Sequence, residues 1–194
     1  MPILQAVAQT DKKVLLIDAD MRKPVQHKCF RLSNKVGLSD VITGDKPLDK
    51  ALNRNVTGSL DVLTSGTIPP NPSELLASRQ MKELLETLKE RYDMILIDCA
   101  PINVVSDVAG LSQEIAGVVM VVHYGFTTYP ELDDAVNRLA LANCNVLGFA
   151  VNEVSSKHGS GYYSNYKYKY KYKYDYQYGS AKQAEEKEKA GSAC

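Results

Sequence analysis

The sequence predicts an α/β fold in which helices cover both faces of a doubly wound, mostly parallel sheet. Two observations predict it: short apolar runs recur along the chain, and segments with helical spacing of apolar residues lie between them. Strands that are apolar on both faces are typical of a covered parallel sheet, and their alternation with helices is typical of a layered α/β domain. The 194 residues, 44% of them hydrophobic, suffice for one such domain and a tail.

Five apolar runs are predicted to form the strands of this sheet. The weakest candidate is Leu60–Leu63. The stronger ones are continuous and uncharged along their length, and the first two are each followed directly by an aspartate. They are Val14–Ile17, Met94–Ile97, Val118–Val122 and Val146–Val151.

Three segments between these runs are predicted to be helical. A short helix through Leu38, Val41 and Ile42 stops at Gly44. A longer one begins at Asn71, with Pro72 at its first position, and continues to an apolar face. A third begins at Thr128, which forms a capping box with Glu131. The apolar faces of the two longer helices comprise Met81, Leu84, Leu85 and Leu88, and Leu132, Val136 and Leu139.

The composition changes after Val154, and this change predicts where the folded domain ends. Residues 1–154 are predicted to form the domain, 155–161 a Gly/Ser-rich linker, 162–178 a tyrosine cluster, and 179–194 a disordered or frayed helical tail. Nine of the twelve tyrosines lie in the cluster, most of them alternating with lysine. A dense row of phenol hydroxyls on a cationic segment suits a phosphoryl acceptor. The candidate acceptors are Tyr162, Tyr163, Tyr166, Tyr168, Tyr170, Tyr172, Tyr174, Tyr176 and Tyr178.

Bulk composition excludes several classes of protein. The 23 basic and 23 acidic residues balance, so no overall basic field indicates a nucleic-acid partner. The four cysteines show no metal-site spacing and are expected to be reduced thiols. Neither a signal peptide nor an apolar run long enough to span a bilayer is found in the sequence. We therefore expect a cytoplasmic protein whose membrane contact is made through a partner.

Aspartates at the ends of two predicted strands form the candidate site. Asp18 and Asp98 directly follow apolar runs, and Asp20 lies two residues after Asp18. Ligands of open α/β sheets bind beyond the carboxyl ends of the strands, and Mg²⁺ prefers carboxylate oxygens. Of two nearby carboxylates, one can bind a metal ion while the other polarises an attacking hydroxyl. We expect Asp18, Asp20 and Asp98 to meet at one rim of the sheet and to serve a magnesium–nucleotide complex.

Two segments around these aspartates resemble nucleotide-binding motifs of the bacterial tyrosine kinases. The segment Val14–Pro24, with the pattern Asp-x-Asp-x-Arg-x-Pro, resembles their Walker A′ motif, and Met94–Pro101 resembles their Walker B motif. The segment Pro69–Leu76 and the tyrosine cluster also match. The Asp-x-Asp-x-Arg-x-Pro pattern distinguishes this family from the related Min/Par partition ATPases. The resemblance implies a P-loop NTPase fold.

The resemblance also implies an activity and a set of roles. It implies an MgATP-dependent autokinase that phosphorylates the tyrosine cluster of a neighbouring subunit. Asp98 and Asp18 would hold Mg²⁺, Asp18 and Asp20 would be catalytic, and Arg22 and Asn152 would bind the nucleotide. The implied partners are a transmembrane activator of the polysaccharide co-polymerase type, further subunits in a ring, and a cognate tyrosine phosphatase. The implied location is the inner face of the cell membrane, and the implied process is capsule or exopolysaccharide export.

One motif of the family is absent from the printed sequence. A phosphate loop has the pattern Gly-x-x-x-x-Gly-Lys-Ser/Thr, and none of the twelve glycines is followed by lysine. Relative to the family, the phosphate loop and the first strand are missing, and Met1 falls in the helix that follows them. We therefore interpret the chain as truncated at its N-terminus and expect it to have little kinase activity by itself.

Three alternatives to an autokinase follow from the same residues. The chain could be a non-catalytic phospho-acceptor or regulatory partner of an intact tyrosine kinase, since the cluster is present and the loop is not. It could be a partition-type ATPase, although no phosphate loop or basic surface element is seen. The cluster could also be an aromatic low-complexity segment without enzymatic meaning, since Tyr alternating with Lys suits a β-strand.

Overall fold

A computed structural model describes residues 12–105 and 107–154 of the chain. The chain divides into two compact units, one ending at Ala100 and the other beginning at Pro101. The predicted linker, the tyrosine cluster and the terminal tail all lie outside the described residues, as do residues 1–11. The two units are described separately below.

The first unit is built on a four-stranded sheet with the order β2-β3-β1-β4. Strand β1 pairs in parallel with β3 on one side and with β4 on the other. Strand β2 pairs antiparallel with β3, so the sheet is mixed. The four strands are β1 (Val14–Asp18), β2 (Leu52–Thr57), β3 (Leu60–Leu63) and β4 (Met94–Asp98).

Strand β1 lies at the centre of this sheet and is buried along its whole length. Val14 and Leu16 pack with Leu60 and Val62 of β3 on one face, and Phe30 is among the side chains that lie against this cluster. Burying such a side chain contributes about 1.5–3 kcal/mol to stability. The burial of β1 therefore explains why its sequence is a continuous apolar run, the pattern that predicted a covered strand.

Five helices of the first unit connect or cover these strands. The predicted short helix is confirmed as Leu38–Ile42, with Gly44 just beyond it at a positive φ of 81°. The prediction of one helix from Asn71 onward is wrong, because two helices form there. Ser78 separates them, since its Oγ accepts a hydrogen bond from Met81 N and caps the second. The helices are α1 (Gln26–Cys29), α2 (Leu38–Ile42), α3 (Leu48–Ala51), α4 (Pro72–Leu76) and α5 (Arg79–Lys89).

The longer of these two helices, α5, has a strongly one-sided apolar face. The four side chains predicted to form this face are all buried, and they lie one turn apart. They are Met81, Leu84, Leu85 and Leu88. The opposite face carries an exposed ion pair between Arg79 and Glu83, which fits the surface side of such a helix.

The second unit contains two parallel strands and a helix. Strand β5 (Val118–His123) pairs with β6 (Val146–Asn152), and helix α6 (Tyr129–Leu141) connects them, as the sequence predicted. Glu131 Oε2 accepts hydrogen bonds from Thr128 N and Oγ1 at the start of α6. A short 3₁₀ helix, Asp107–Leu111, precedes β5. Among residues 12–105 and 107–154, no helix is long and apolar enough to cross a membrane.

Candidate functional site

Two of the predicted site aspartates lie side by side at the end of the first unit's sheet. Asp18 is the last residue of β1, Asp98 is the last residue of β4, and the two are direct partners in the parallel register. Ala19 N then donates to the carbonyl oxygen of Asp98 (2.8 Å), which keeps the two chain segments together just past the strand ends. The sequence prediction that these carboxylates share one rim agrees with this register.

Burial and mutual repulsion change the acidity of both carboxyl groups. Burial, together with the charges of Asp98 and Asp20, raises the pKa of Asp18 to about 7, against the lowering effect of a hydrogen bond from Gln26 N. Burial also raises the pKa of Asp98 above its usual range, whereas the Gln26 side chain lowers it. Asp18 is buried and Asp98 is partly buried, and acids with raised pKa values at a strand-end rim are typical of a functional site, because their ionised forms need a positive partner.

Gln26, the first residue of α1, contacts both carboxylates. Its backbone N–H donates to Asp18 Oδ2 (3.0 Å), and its side-chain Nε2–H donates to Asp98 Oδ2 (2.5 Å). Asp18 and Gln26 are 0% and 4% exposed. Asp18 Oδ1 and Gln26 Oε1 are buried and have no hydrogen-bond partner within the described part of the chain. Such atoms are costly to leave unpaired, so this pocket of oxygens is suited to a cation.

Asp20 lies close to this pair but turns toward the loop that follows it. Its Oδ1 accepts hydrogen bonds from Arg22 N (3.2 Å) and Lys23 N (2.9 Å), and the residue is 5% exposed. Arg22 reaches across to α4, where its guanidinium donates to Ser73 Oγ (2.9 Å). The Asp-x-Asp-x-Arg segment is therefore held in a fixed turn beside the strand ends.

The donor set fits Mg²⁺ if water or phosphate oxygens complete the shell. Mg²⁺ is commonly bound in proteins through one or two carboxylates and keeps several waters, and Asp18 and Asp98 supply two carboxylates in register, one with an unpartnered oxygen. In residues 12–105 and 107–154, no group of three His, Cys, Asp or Glu side chains is spaced to hold a metal ion. Asp20 is therefore placed near the pair without completing a three-carboxylate cage.

The remaining predicted site residues lie elsewhere. Asn152 is the last residue of β6 in the second unit, where its side-chain Oδ1 accepts from Glu153 N (2.9 Å) and its carbonyl oxygen accepts from Tyr124 N (3.0 Å). It pairs in register with His123 at the end of β5. The nine candidate acceptor tyrosines lie outside the described residues.

Sequence reasoning missed Gln26. Its two contacts form because the chain turns after Asp20 and returns to the strand ends at α1. No periodicity or spacing rule singles out a glutamine eight residues after an aspartate. Its role can be recognised only from the structure, in which it contacts both Asp18 and Asp98.

The chain is similar to several known proteins. Residues 2–129 match the model of a family described as an AAA domain. The chain is 44% identical over 158 residues to the tyrosine-protein kinase YwqD of Bacillus subtilis, covering 80% of this chain and 67% of that protein. It is 38% identical over 156 residues to the tyrosine-protein kinase Etk of Escherichia coli K12, covering 80% of this chain but only 22% of Etk.

A solved structure gives the same result for the fold. The kinase domain of the E. coli tyrosine kinase ETK superposes with a TM-score of 0.72 at 36% identity, and the match covers 81% of this chain and 63% of that domain. The chain thus spans about a fifth of the full length of Etk and somewhat less than two thirds of its solved kinase domain.

Proposed function

The chain belongs to the bacterial tyrosine kinases, a family with a P-loop ATPase fold, and on that premise we propose that it takes part in MgATP-dependent phosphorylation of tyrosine. The proposed acceptors are the tyrosines of residues 162–178, and the proposed reaction occurs between neighbouring subunits. The observation that carries the proposal is the register of Asp18 with Asp98 at the carboxyl ends of two parallel strands. One buried and one partly buried acid at that edge suit a magnesium–nucleotide complex.

The proposed division of roles follows the contacts at the rim. Asp98 and Asp18 would hold Mg²⁺, which when bound neutralises charge on the nucleotide phosphates. Asp20 is fixed by the backbone amides of Arg22 and Lys23, so its carboxylate can orient and polarise an attacking phenol hydroxyl. Arg22 would contact the nucleotide phosphates, which requires its guanidinium to leave Ser73 Oγ. Asn152 would contact the base.

The 194 residues contain no phosphate-loop motif, which limits the phosphate contacts that they can make by themselves. In P-loop enzymes the glycines and lysine of this loop supply most phosphate contacts, and the printed sequence has no Gly-Lys pair. We expect weak nucleotide binding and little phosphotransfer by this chain alone. Joining it to a family-type N-terminal segment that carries the loop should restore both.

The test compares four proteins incubated with Mg²⁺ and γ-labelled ATP. They are the chain, its fusion to the loop-bearing segment, and the fusion with Asp98→Asn or with Asp45→Asn. We expect label in residues 162–178 of the fusion, a loss of about 100-fold or more in Asp98→Asn, and no change in Asp45→Asn, whose carboxylate is exposed and bonded to Thr43. An inactive fusion, or full activity of Asp98→Asn, would contradict the proposal.

A second candidate function is favoured by the tyrosine cluster occurring without a phosphate loop. The chain would then be a non-catalytic acceptor or regulator of an intact kinase of the same family. Mixing the chain with an active family kinase and ATP distinguishes the acceptor function from the autokinase function. Labelling of the cluster only in the mixture, together with an inactive fusion, supports the acceptor function and removes the autokinase.

The wider role is proposed from the family. We propose a place at the inner face of the membrane, reached through a transmembrane activator of the polysaccharide co-polymerase type, with a tyrosine phosphatase reversing the reaction. One curated relative is named for its position in a cps region. Each phosphotyrosine adds about 1.5–2 negative charges, so several in one cluster would repel a neighbouring subunit. Phosphorylation would thereby dissociate a ring of subunits and regulate capsule or exopolysaccharide export.

A further inference from the structure

Gln26 contacts both strand-end carboxylates, one with its side chain and the other with its backbone. It is 4% exposed, and its amide nitrogen lies 2.5 Å from Asp98 Oδ2. Its backbone nitrogen simultaneously binds Asp18 Oδ2. One residue therefore connects helix α1 to the ends of both β1 and β4.

The Gln26 amide compensates the charge of these carboxylates only in part. Two ionised acids at adjacent strand ends repel each other, and burial removes the water that would screen them. An amide N–H offers a partial positive charge, so it stabilises the ionised pair less than a divalent cation would. The hydrogen bond from Gln26 is the lowering contribution to the pKa of Asp98, which shows that it favours the ionised form.

The oxygen of the same amide accepts no hydrogen bond from the described part of the chain. Gln26 Oε1 is buried without a partner there, and so is Asp18 Oδ1. Moving the amide away from Asp98 would therefore cost one hydrogen bond, and it would allow Gln26 Oε1 to accept a hydrogen bond or to bind a cation.

We propose that the Gln26 side chain is a cation-responsive latch that covers Asp98 when no cation is present and is displaced when a divalent cation binds the Asp18–Asp98 pair. This inference rests on the proposed function, because it assumes that the pair binds such a cation. Gln26 is a positioning residue here. Its release would free α1 from Asp98 and so convey cation occupancy to the segment that contains Asp20 and Arg22.

The test measures cation binding by the full chain without nucleotide. Free Mn²⁺ is followed by electron paramagnetic resonance at pH 8, above the pKa of Asp18, for the wild type, Gln26→Met and Gln26→Ala. Methionine keeps the volume of glutamine and removes the amide. The matched control is Asn34→Ala, which removes a part-buried amide that binds Ser65 and Gly66 and touches neither carboxylate. Asp98→Asn defines the site.

The latch requires that losing the amide strengthens Mn²⁺ binding. Because a hydrogen bond to a charged group is lost on displacement, we expect Gln26→Met and Gln26→Ala to bind about tenfold tighter than wild type, and Asn34→Ala to bind equally. Unchanged or weaker binding in the Gln26 variants overturns the latch and makes Gln26 an ordinary support of the site. Binding that is undetectable, or indifferent to Asp98→Asn, overturns the latch together with the proposed magnesium site.

A second measurement does not depend on any variant folding. In the wild type, the side-chain ¹H–¹⁵N signals of Gln26 should shift on addition of Mg²⁺ alone, and those of Asn34 should not. Signals of Gln26 that stay in place while Mg²⁺ binds would overturn the latch and leave the proposed function intact.

Discussion

The parallel strands of the two units are similarly apolar in sequence but lie in very different environments. Strand β1 is buried at every position, whereas the apolar residues of β5 and β6, apart from the buried Met120, are partly covered or exposed. Val121 is 68% exposed, in contrast to 0% for Val14. The strand ends differ too, since β1 and β4 end in a pair of aspartates and β5 and β6 end in His123 opposite Asn152.

This difference shows that an apolar run identifies a strand but not what covers it. Sequence predicted the parallel strands of both units, because period and composition are local properties. Coverage depends on which elements pack against each face. In the first unit, Phe30 and Leu32 supply it by packing against the apolar cluster of β1 and β3. The experiments below measure this difference in burial between the two sheets, from the largest expected effect to the smallest.

The same substitution in each sheet gives the sharpest comparison. Val14→Ala removes two methyl groups from a fully buried position and should lower the free energy of unfolding by about 2–3 kcal/mol. Val121→Ala, at an exposed position, should change it by less than about 0.5 kcal/mol. Urea denaturation followed by circular dichroism measures both. Equal losses would mean that β5 is as well covered in solution as β1.

A pair of tyrosines extends the comparison to hydrogen bonds. Tyr92 is buried, and its hydroxyl donates to Asp61 Oδ2 (2.6 Å). Burial, together with this hydrogen bond, raises the pKa of Tyr92 above its usual range. Tyr92→Phe leaves that carboxylate oxygen without its donor and should cost about 1–2 kcal/mol of stability. Tyr129→Phe in α6, where the side chain is 90% exposed, should be neutral. A thermal melt of each variant separates them, and a neutral Tyr92→Phe would show that the buried bond contributes nothing.

The acidic end of the first sheet should make stability depend on pH. The folded pKa of Asp18, about 7, lies above the ordinary aspartate value of 3.8, so the folded state holds this proton more tightly than the unfolded state does. Without metal ions, the Asp18 contribution to stability is therefore present at low pH and is lost as pH rises, by up to about 1 kcal/mol per unit between about pH 4 and 7.

Replacing Asp18 isolates this contribution. Asp18→Asn, in a chelator, should flatten the stability profile over that pH range. Denaturation midpoints at half-unit steps of pH measure it for both proteins. A profile that is the same in the two proteins would show that Asp18 titrates alike when folded and unfolded.

An exposed ion pair in the second unit should have the smallest effect. His123 Nε2 lies 2.8 Å from Glu153 Oε2, with both side chains largely exposed. Because solvent screens such pairs, Glu153→Gln should change the free energy of unfolding by less than about 0.5 kcal/mol. A loss above 1 kcal/mol would mean that this end of the second sheet is more enclosed than the structure indicates.

Sequence predicted the features that depend on local patterns and missed those that depend on long-range contacts. The end-of-strand aspartates were predictable because strand ends are marked by the apolar runs themselves. Strand β2 was missed, since Asn53, Arg54 and Asn55 interrupt any apolar period, and the strand is held by contacts such as that of Asn55 N with Asp61 Oδ1. The break before α5 was missed because Ser78 in a polar stretch does not differ in sequence from a surface residue of a continuous helix.

The central claim is that Asp18 and Asp98 together bind a divalent cation for phosphotransfer. Its most direct test is the Mn²⁺ binding isotherm of the full chain at pH 8, compared with those of Asp98→Asn and Asp45→Asn. We expect one saturable Mn²⁺ site per chain, whose affinity Asp98→Asn lowers by at least about tenfold and Asp45→Asn leaves unchanged. An isotherm that is the same for the wild type and Asp98→Asn would contradict it.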